Sequence, residues 1–193
     1  FAYCRNLSRI TVTNNVTSIG EYAFAGCYTM TSLTLPDSVT KIGSYAFEGC
    51  TGIKSMILPQ TLSYVDSYAF KGCTSLSSIT IPDGVTEIGY YAFYGCTNLS
   101  SITIPDGVKT IDSGAFADCK SLTNITIPES VTYVGWGAFD GCSSLTSFRG
   151  KFASKDGRCL IEDDGSLVAF APAFLTTYAI PNGVRHIYGG FTG

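Results

Sequence analysis

The sequence predicts an α/β solenoid that is mostly β, arranged as a right-handed array of 23-residue repeats with one short parallel strand in each repeat. Two residue types carry this period over most of the chain. Cysteine recurs at Cys4, Cys27, Cys50, Cys73, Cys96, Cys119 and Cys142. Phenylalanine precedes each of them by three residues, at Phe1, Phe24, Phe47, Phe70, Phe93, Phe116 and Phe139. A fixed period of 20–50 residues is typical of solenoids and related arrays.

The strand of each repeat is predicted by a segment such as Leu76 to Pro82, which is L-S-S-I-T-I-P. Apolar and polar residues alternate at its end, as in a half-buried strand, and proline stops the strand because it has no amide to donate. The predicted strand centres are Ile10, Leu33, Met56, Ile79, Ile102, Ile125 and Phe148. Stacked repeats would place these strands in a parallel sheet on the concave side, since one repeat cannot bury its apolar side alone.

The other half of the repeat reads G-x-x-A-F-x-G-C, as in Gly89 to Cys96. We expect it to return along the convex side with its alanine and phenylalanine facing inward. Its glycines permit tight turns at positive φ.

An insertion interrupts the array near its end. The strand-ending proline of each repeat last appears at Pro128, Lys151 stands where the next is due, and Pro181 resumes the motif. The interval of 53 residues (181 − 128) exceeds one 23-residue repeat by 30. We therefore predict an inserted β-hairpin at about 151–179 within a single domain, 1–193, that is a fragment of a longer array, with a shortened last segment at 187–193.

Two turn dipeptides support the hairpin, Asp156-Gly157 and Asp164-Gly165, next to the apolar runs 159–161 and 167–170. The acidic run at 162–165 lacks the ligand spacing of an EF-hand loop, so we interpret it as a solvated turn.

The L-x-x-L-x-L spacing and the 23-residue length are typical of leucine-rich repeats. The segments Ile81–Val85 and Ile104–Val108 both read I-P-D-G-V, and Ile88 to Cys96 reads I-G-Y-Y-A-F-Y-G-C. These motifs resemble the BspA-type, or treponemal-type, leucine-rich-repeat family over residues 1–148 and again at Ile180–Ile187. The resemblance implies a bacterial cell-surface or secreted protein, and some members of that family bind host matrix proteins or other bacteria.

Composition bears on several function classes. The net charge is −3, the pI is about 5.0 and charged residues make up 14% of the chain, so no basic stripe favours nucleic acid. No apolar run approaches the roughly 20 residues of a membrane helix. His186 is the single histidine, at a loop-like position that we expect to be exposed, and the glycines follow the repeat rather than a phosphate loop. We predict no enzyme activity and no cofactor.

The cysteines pose a separate question, because a surface protein with eight of them is a candidate for disulfides. Equivalent residues of stacked coils lie about 4.8 Å apart with parallel side chains, whereas a disulfide prefers Cβ atoms about 3.5–4.5 Å apart. We therefore expect buried free thiols, with Cys159 in the insertion as a candidate for exposure. The chain has no C-x-x-C motif, and we predict no metal site.

The first candidate binding surface, here called the strand face, comprises the residues that should point away from the core on the predicted strands. They are Arg9, Thr11, Ser32, Thr34, Ser55, Ile57, Ser78, Thr80, Ser101, Thr103, Asn124, Thr126, Ser147 and Arg149. The alternative is a solvated row of serine and threonine selected for β propensity. An ice-binding surface is disfavoured because more than half of the positions are not threonine.

The second candidate surface is the tyrosine ladder, defined as Tyr22, Tyr45, Tyr68 and Tyr91, which ends at Gly114 and Gly137. One interpretation is that the rings stack to shield the coil edges. The other is an aromatic patch for a protein or glycan, because Tyr and Trp are enriched at recognition surfaces. Trp136 lies nearby in the repeat.

Together these features predict an interaction protein at the cell surface or outside the cell, adhering to a host or bacterial protein or to a glycan. The alternative is a structural spacer that presents another domain. The sequence does not specify the oligomeric state.

Overall fold

The computed structural model describes residues 1–188, which form a solenoid of parallel strands without any helix. The strands are β1 (Arg9–Thr11), β2 (Ser18–Ile19), β3 (Ser32–Thr34), β4 (Lys41–Ile42), β5 (Ser55–Ile57), β6 (Tyr64–Val65), β7 (Ser78–Thr80), β8 (Glu87–Ile88), β9 (Thr110–Ile111), β10 (Asn124–Ile127), β11 (Tyr133–Val134), β12 (Ser147–Gly150), β13 (Cys159–Ile161), β14 (Ser166–Phe170) and β15 (His186–Ile187). The predicted solenoid of 23-residue repeats is confirmed.

The longer strands, β1, β3, β5, β7, β10 and β12, form one row at the predicted centres. They pair in parallel as β1 with β3, β5 with β7 and β10 with β12, and each pair is offset by one repeat, as in Ile10 opposite Leu33. The strand predicted at Ile102 is wrong, because residues 101–105 form no strand. Leu99 and Ile104 remain buried there. This segment therefore keeps its buried side chains, and its proline turn from Val108 to Pro105 at 3.1 Å, without strand pairing.

A second row of two-residue strands runs beside the first, so each regular repeat has two strands rather than the single one predicted. In it β6, β8, β9 and β11 form a continuous four-stranded sheet, and β2 pairs with β4. Each of these strands contributes one buried Ile or Val, as Ile88 does in β8. A strand this short is below the length at which alternation is detectable in a sequence.

The proline turns connect the two rows. In each repeat the amide three residues after proline donates to the proline carbonyl, at 3.0 Å for Val39 to Pro36 and 3.1 Å for Val85 to Pro82. Val184 donates to Pro181 in the same way at 3.4 Å. The array therefore resumes at Pro181 as predicted. His186 is exposed as expected, but it lies in β15 and not in a loop, since β15 pairs with β14.

The convex half of the repeat is also bonded from coil to coil. The amides of Phe24, Phe47 and Phe70 each donate to the alanine carbonyl of the next coil at 2.8 Å. The rings of the phenylalanine column stack along the whole array with centroids 5.3–5.7 Å apart. This column forms the centre of the core, and Phe47, Phe70, Phe93 and Phe116 are almost completely buried.

The cysteine column lies beside this stack. Each thiol from Cys27 to Cys142 donates to the carbonyl of the phenylalanine 26 residues earlier, as in Cys50 to Phe24 at 3.1 Å and Cys96 to Phe70 at 3.2 Å. The predicted burial of Cys27 to Cys119 is confirmed. All cysteines of the described residues are free thiols, and Cys4 is half-buried.

The insertion is confirmed as a hairpin, with β13 antiparallel to β14 and a bulge between Leu160 and Ile161. All five residues of β14 are buried, and Leu160 and Val168 belong to the main core. The expectation that Cys159 is exposed is wrong, because it packs with Leu167 and Phe170 in a small second core. Of the predicted final segment, residues 189–193 lie outside the described residues.

The phenylalanine and cysteine columns are both buried but differ in side-chain size, and this difference generates a first prediction. Phe93→Ala removes a ring that stacks on both neighbours, so we expect a loss of about 3–5 kcal/mol in the free energy of unfolding. Cys96→Ala removes one small group and one weak hydrogen bond, so its loss should be smaller. Urea denaturation of both variants measures the two losses. An equal or reversed order would contradict the assigned packing.

The thiols generate a second prediction, on alkaline pH. Burial raises the pKa of Cys50 from its ordinary value of 9.0 to about 12 and raises the pKa of Cys73, Cys96 and Cys119 well above that ordinary value. The folded protein thus keeps its thiols protonated, whereas the unfolded chain ionises them once the pH exceeds the ordinary pKa. The stability contributed by each thiol is complete below that pH and is lost as the pH rises toward the folded pKa.

We therefore expect the free energy of unfolding, measured with urea under reducing conditions, to fall as the pH rises above about 9. The free energy of unfolding of Cys96→Ala should fall less steeply with pH than that of the parent protein. The difference in slope corresponds to at most about one proton released per molecule unfolded. Identical slopes for the variant and the parent protein would show that Cys96 is not desolvated in the folded state.

Candidate functional site

The strand face has the orientation that the sequence predicts. Its residues are exposed, apart from the half-buried Ser147, while the apolar residues between them turn to the core. Ile57 is 70% exposed, although it is apolar. At one end of the face Arg9, Thr11, Ser32 and Thr34 line a shallow groove of about 470 Å³. The strand face is therefore a broad polar surface, and its role in binding stays a prediction.

Hydroxyl groups outside the strand face form hydrogen bonds between neighbouring coils. Thr40 donates to the carbonyl of Thr17 at 3.2 Å, and Thr132 donates to that of Lys109 at 3.1 Å. These positions lie in the short-strand half of the repeat and not on the strand face. The solenoid can hold its coils together without using the hydroxyls of the strand face.

The tyrosine ladder is a continuous stack. Ring centroids are 4.7 Å apart for Tyr22 and Tyr45, 4.5 Å for Tyr45 and Tyr68, and 5.3 Å for Tyr68 and Tyr91, with planes within 11° of parallel. Tyr22 and Tyr91 are exposed at the two ends, and the middle rings are half-buried. Stacking of the rings on one another is therefore a property of the folded chain.

The backbone beneath the ladder is in a conformation that favours glycine. The four tyrosines have φ between +51° and +59°, and the next two repeats place Gly114 and Gly137 at the same position with φ of +65° and +64°. A residue other than glycine in this region costs about 1–3 kcal/mol. Each offset-stacked aromatic pair contributes about 0.5–1.5 kcal/mol beyond its buried area. Stacking of three pairs therefore offsets part of the backbone strain of the four tyrosines.

The ladder already holds one cation of the chain itself. Lys71 Nζ lies 2.9 Å from Glu48 Oε1 and 5.7 Å and 6.0 Å from the ring centroids of Tyr68 and Tyr45. The hydrogen bond to Glu48 is the main reason why the pKa of Lys71 is raised. An ammonium group thus occupies a site made of two tyrosine faces and one carboxylate.

The ladder ends at an open cavity, here called the ladder-end pocket. It measures about 610 Å³, and it opens where Gly114 and Gly137 replace the next two tyrosines. Its lining comprises Tyr91, Tyr94, Gly114, Ala117, Asp118, Lys120, Trp136, Gly137, Asp140, Gly141 and Ser143. The end of the ladder is visible in the sequence, but the repeat pattern alone gives no signal of a pocket there.

Aromatic rings form much of the pocket wall. Tyr94 meets the edge of Tyr91 with centroids 5.6 Å apart and planes at 75°. Tyr91 leans over the space above Gly114, where a Cβ atom would overlap its ring. Trp136 stands 68% exposed at the rim.

Carboxylates supply the polar part of the wall. Asp118 has φ of +57° at a position where five other repeats have glycine, namely Gly26, Gly49, Gly72, Gly95 and Gly141. Its hydrogen bond to Tyr94 is the main reason why the pKa of that tyrosine is raised. The amide of Asp118 donates to the carbonyl of Asp140 at 2.7 Å, so the two aspartates come from adjacent coils. Aligning the repeats would have identified Asp118 as a departure from the glycine column.

Among residues 1–188 no group of three or more His, Cys, Asp or Glu side chains is arranged to hold a metal ion. Within the same range, no helix has the length and apolarity needed to span a bilayer.

The chain matches a known repeat family. The family profile described as BspA type leucine rich repeat region matches in six copies, over residues 1–96 and 40–155. No curated protein matches the chain.

Several solved structures are similar. A leucine-rich repeat protein from Bacteroides ovatus is 31% identical with a TM-score of 0.80, over 100% of this chain and 54% of that one. The leucine rich repeat protein of T. pallidum is 32% identical with a TM-score of 0.58, over 68% of this chain and 62% of that one. A leucine rich cell surface protein from Faecalibacterium prausnitzii is 29% identical with a TM-score of 0.61, over 88% and 54% respectively. The chain thus spans between half and two thirds of the length of these proteins.

The strained backbone of the ladder generates a third prediction. Both Tyr68→Ala and Tyr68→Gly remove two stacking contacts and should destabilise the protein. Glycine also relieves the positive φ of +59°. We therefore expect Tyr68→Gly to be more stable than Tyr68→Ala by roughly 1 kcal/mol in urea denaturation. Greater stability of the alanine variant would contradict the left-handed conformation at this position.

Proposed function

We propose that this chain, which belongs to the BspA-type leucine-rich-repeat family, is part of a bacterial cell-surface or secreted protein that adheres to a host or bacterial protein. The description of the Faecalibacterium protein as a cell surface protein supports this location. A repeat scaffold that acts by binding rather than by catalysis also fits the described residues, in which the single histidine, His186, is exposed.

The observation that carries the proposal is the shape of the strand face. Its exposed side chains recur in register from coil to coil, as in Ser55 opposite Ser78, on strands fixed by the core behind them. Such a surface is pre-ordered, so a partner binds it without first paying for loop ordering. A regular solenoid offers an extended face suited to a macromolecule.

The tyrosine ladder is the second candidate surface for the same adhesive function, toward a protein or a glycan. Its end rings are exposed and its stacking holds them rigid. Rigid aromatic side chains contribute contact area at low entropic cost. The strand face ranks first because it is larger.

The experiment compares three sets of variants for binding to immobilised host matrix proteins and to whole bacteria. Thr80→Lys with Thr103→Lys alters the strand face, and Tyr68→Ser with Tyr91→Ser alters the ladder. Thr176→Lys with Thr177→Lys adds the same charge as the first set on exposed residues of the insertion. Circular dichroism checks that each variant is folded.

We expect the strand-face set to reduce binding by about tenfold or more, because the complex would bury two lysine charges without partners. The insertion set should leave binding within about twofold. Loss in the ladder set alone moves the site to the tyrosines. Loss in the insertion set alone moves it to residues 151–179. Failure of the parent protein to bind any of these probes would contradict adhesion and favour a spacer.

A further inference from the structure

The ladder-end pocket is the place where the repeat departs most from its own pattern. The tyrosine of the ladder becomes Gly114 and the glycine of the turn becomes Asp118. Trp136 stands where the earlier repeats have Glu21, Ser44, Ser67, Tyr90 and Ser113. The first change opens a cavity of about 610 Å³ and the other two line it with an acid and an indole. None of these changes is needed to continue the coil.

The lining has the composition of a cation site. Tyr91 and Tyr94 meet at 75°, so that a ring face and a ring edge border the same space, and Trp136 supplies the strongest cation-binding ring at the rim. Asp118 and Asp140 bring two negative charges against one positive charge from Lys120. The lining therefore carries a net negative charge beside electron-rich ring faces.

Asp118 adds an independent observation. Its backbone φ of +57° belongs to a position that glycine occupies in four earlier repeats, so the carboxylate is placed there at a cost in backbone strain. Tyr3 has the same left-handed conformation at the first copy of this position, with φ of +59°, but Asp118 is the copy that lines the cavity. Backbone strain kept beside a cavity is typical of functional positions.

Another part of the chain already holds an ammonium group between tyrosine rings and a carboxylate. Lys71 occupies the equivalent turn position two repeats before Ala117, which lines the pocket. There its ammonium lies 2.9 Å from Glu48 and 5.7 Å from the Tyr68 ring. In the pocket the small side chain of Ala117 leaves that volume empty. Tyr91 takes the place of Tyr45, Tyr94 and Gly114 stand where Glu48 and Tyr68 do, and the carboxylates come from Asp118 and Asp140.

We propose that the ladder-end pocket binds an alkylammonium group supplied from outside the chain, namely a lysine side chain of a protein partner. The ammonium lies between the Asp118 and Asp140 carboxylates, and the methylene chain lies against Tyr91 and Trp136. The inference rests on the proposed function only in naming a protein lysine as the source of the ammonium. Binding of an ammonium group to the pocket can be tested separately, with a small amine and without any adhesion partner.

Trp136 provides a specific readout, since it is the single tryptophan of the chain. Tryptophan fluorescence of the parent protein is titrated with n-butylammonium, which is a detached lysine side chain, and with 1-butanol, its neutral match, at constant ionic strength. We expect saturable binding of n-butylammonium in the millimolar range and binding of 1-butanol weaker by about fivefold or more.

Variants assign the effect to the pocket. Asp118→Asn is expected to weaken n-butylammonium binding by about fivefold, and Lys120→Ala to strengthen it by about twofold, because each changes the charge of the lining. Asp83→Asn is the matched control, with the same charge change at an exposed residue outside the pocket, and should stay within about twofold.

A capped tripeptide with a central lysine should bind at least as tightly as n-butylammonium, and its acetyl-lysine form should not bind. Equal binding of 1-butanol and n-butylammonium, or unchanged binding in Asp118→Asn, would overturn the cation site. Binding of n-butylammonium without binding of the lysine tripeptide would overturn the assignment to a protein lysine. Binding of neutral monosaccharides in place of the amine would overturn the proposal in favour of a glycan pocket.

Discussion

Stacking of identical residues at one coil spacing is the constraint on which this structure depends. The phenylalanine rings repeat every 5.3–5.7 Å, and the amide of each phenylalanine from Phe24 to Phe116 bonds to the next coil at 2.8 Å. Side chains and backbone therefore enforce the same register. A coil that gained or lost one residue would break both at once. The insertion accordingly occurs between coils and rejoins the array through the pairing of β14 with β15.

The same constraint explains why the cysteines serve as hydrogen-bond donors. In-register stacking keeps their side chains parallel, and each thiol from Cys50 to Cys142 reaches a phenylalanine carbonyl of an earlier coil at 3.1–3.3 Å. Each of these carbonyls also accepts the amide of the cysteine in its own coil, as Phe70 accepts that of Cys73 at 3.2 Å, so the thiol is a second donor. Alanine would fill less volume and remove only this second, weaker bond.

Much of this fold could be predicted from the sequence because periodicity is a global signal. The cysteine and phenylalanine columns indicated the solenoid, and the alternation around Ile79 indicated which residues face inward. Features that are set by a single local contact leave no trace in the period, and they could not be predicted from it. The two-residue strands such as β8 are too short to show alternation, and residues 101–105 keep the sequence of a strand without its pairing. Cys159 was misjudged because the hairpin that carries it has a small core of its own.

The candidate surfaces were predictable to a similar degree. The strand face and the tyrosine ladder follow from the period and have the expected orientations, whereas the ladder-end pocket depends on three exceptions to the period. In a repeat protein most regular positions are explained by the need to continue the coil, so regularity by itself does not identify a functional residue. An exception such as Asp118 has no such explanation, and it carries backbone strain that Gly95 at the equivalent position avoids. Where several exceptions from adjacent coils line one cavity, as Gly114, Asp118 and Trp136 do, the shared cavity accounts for all of them together.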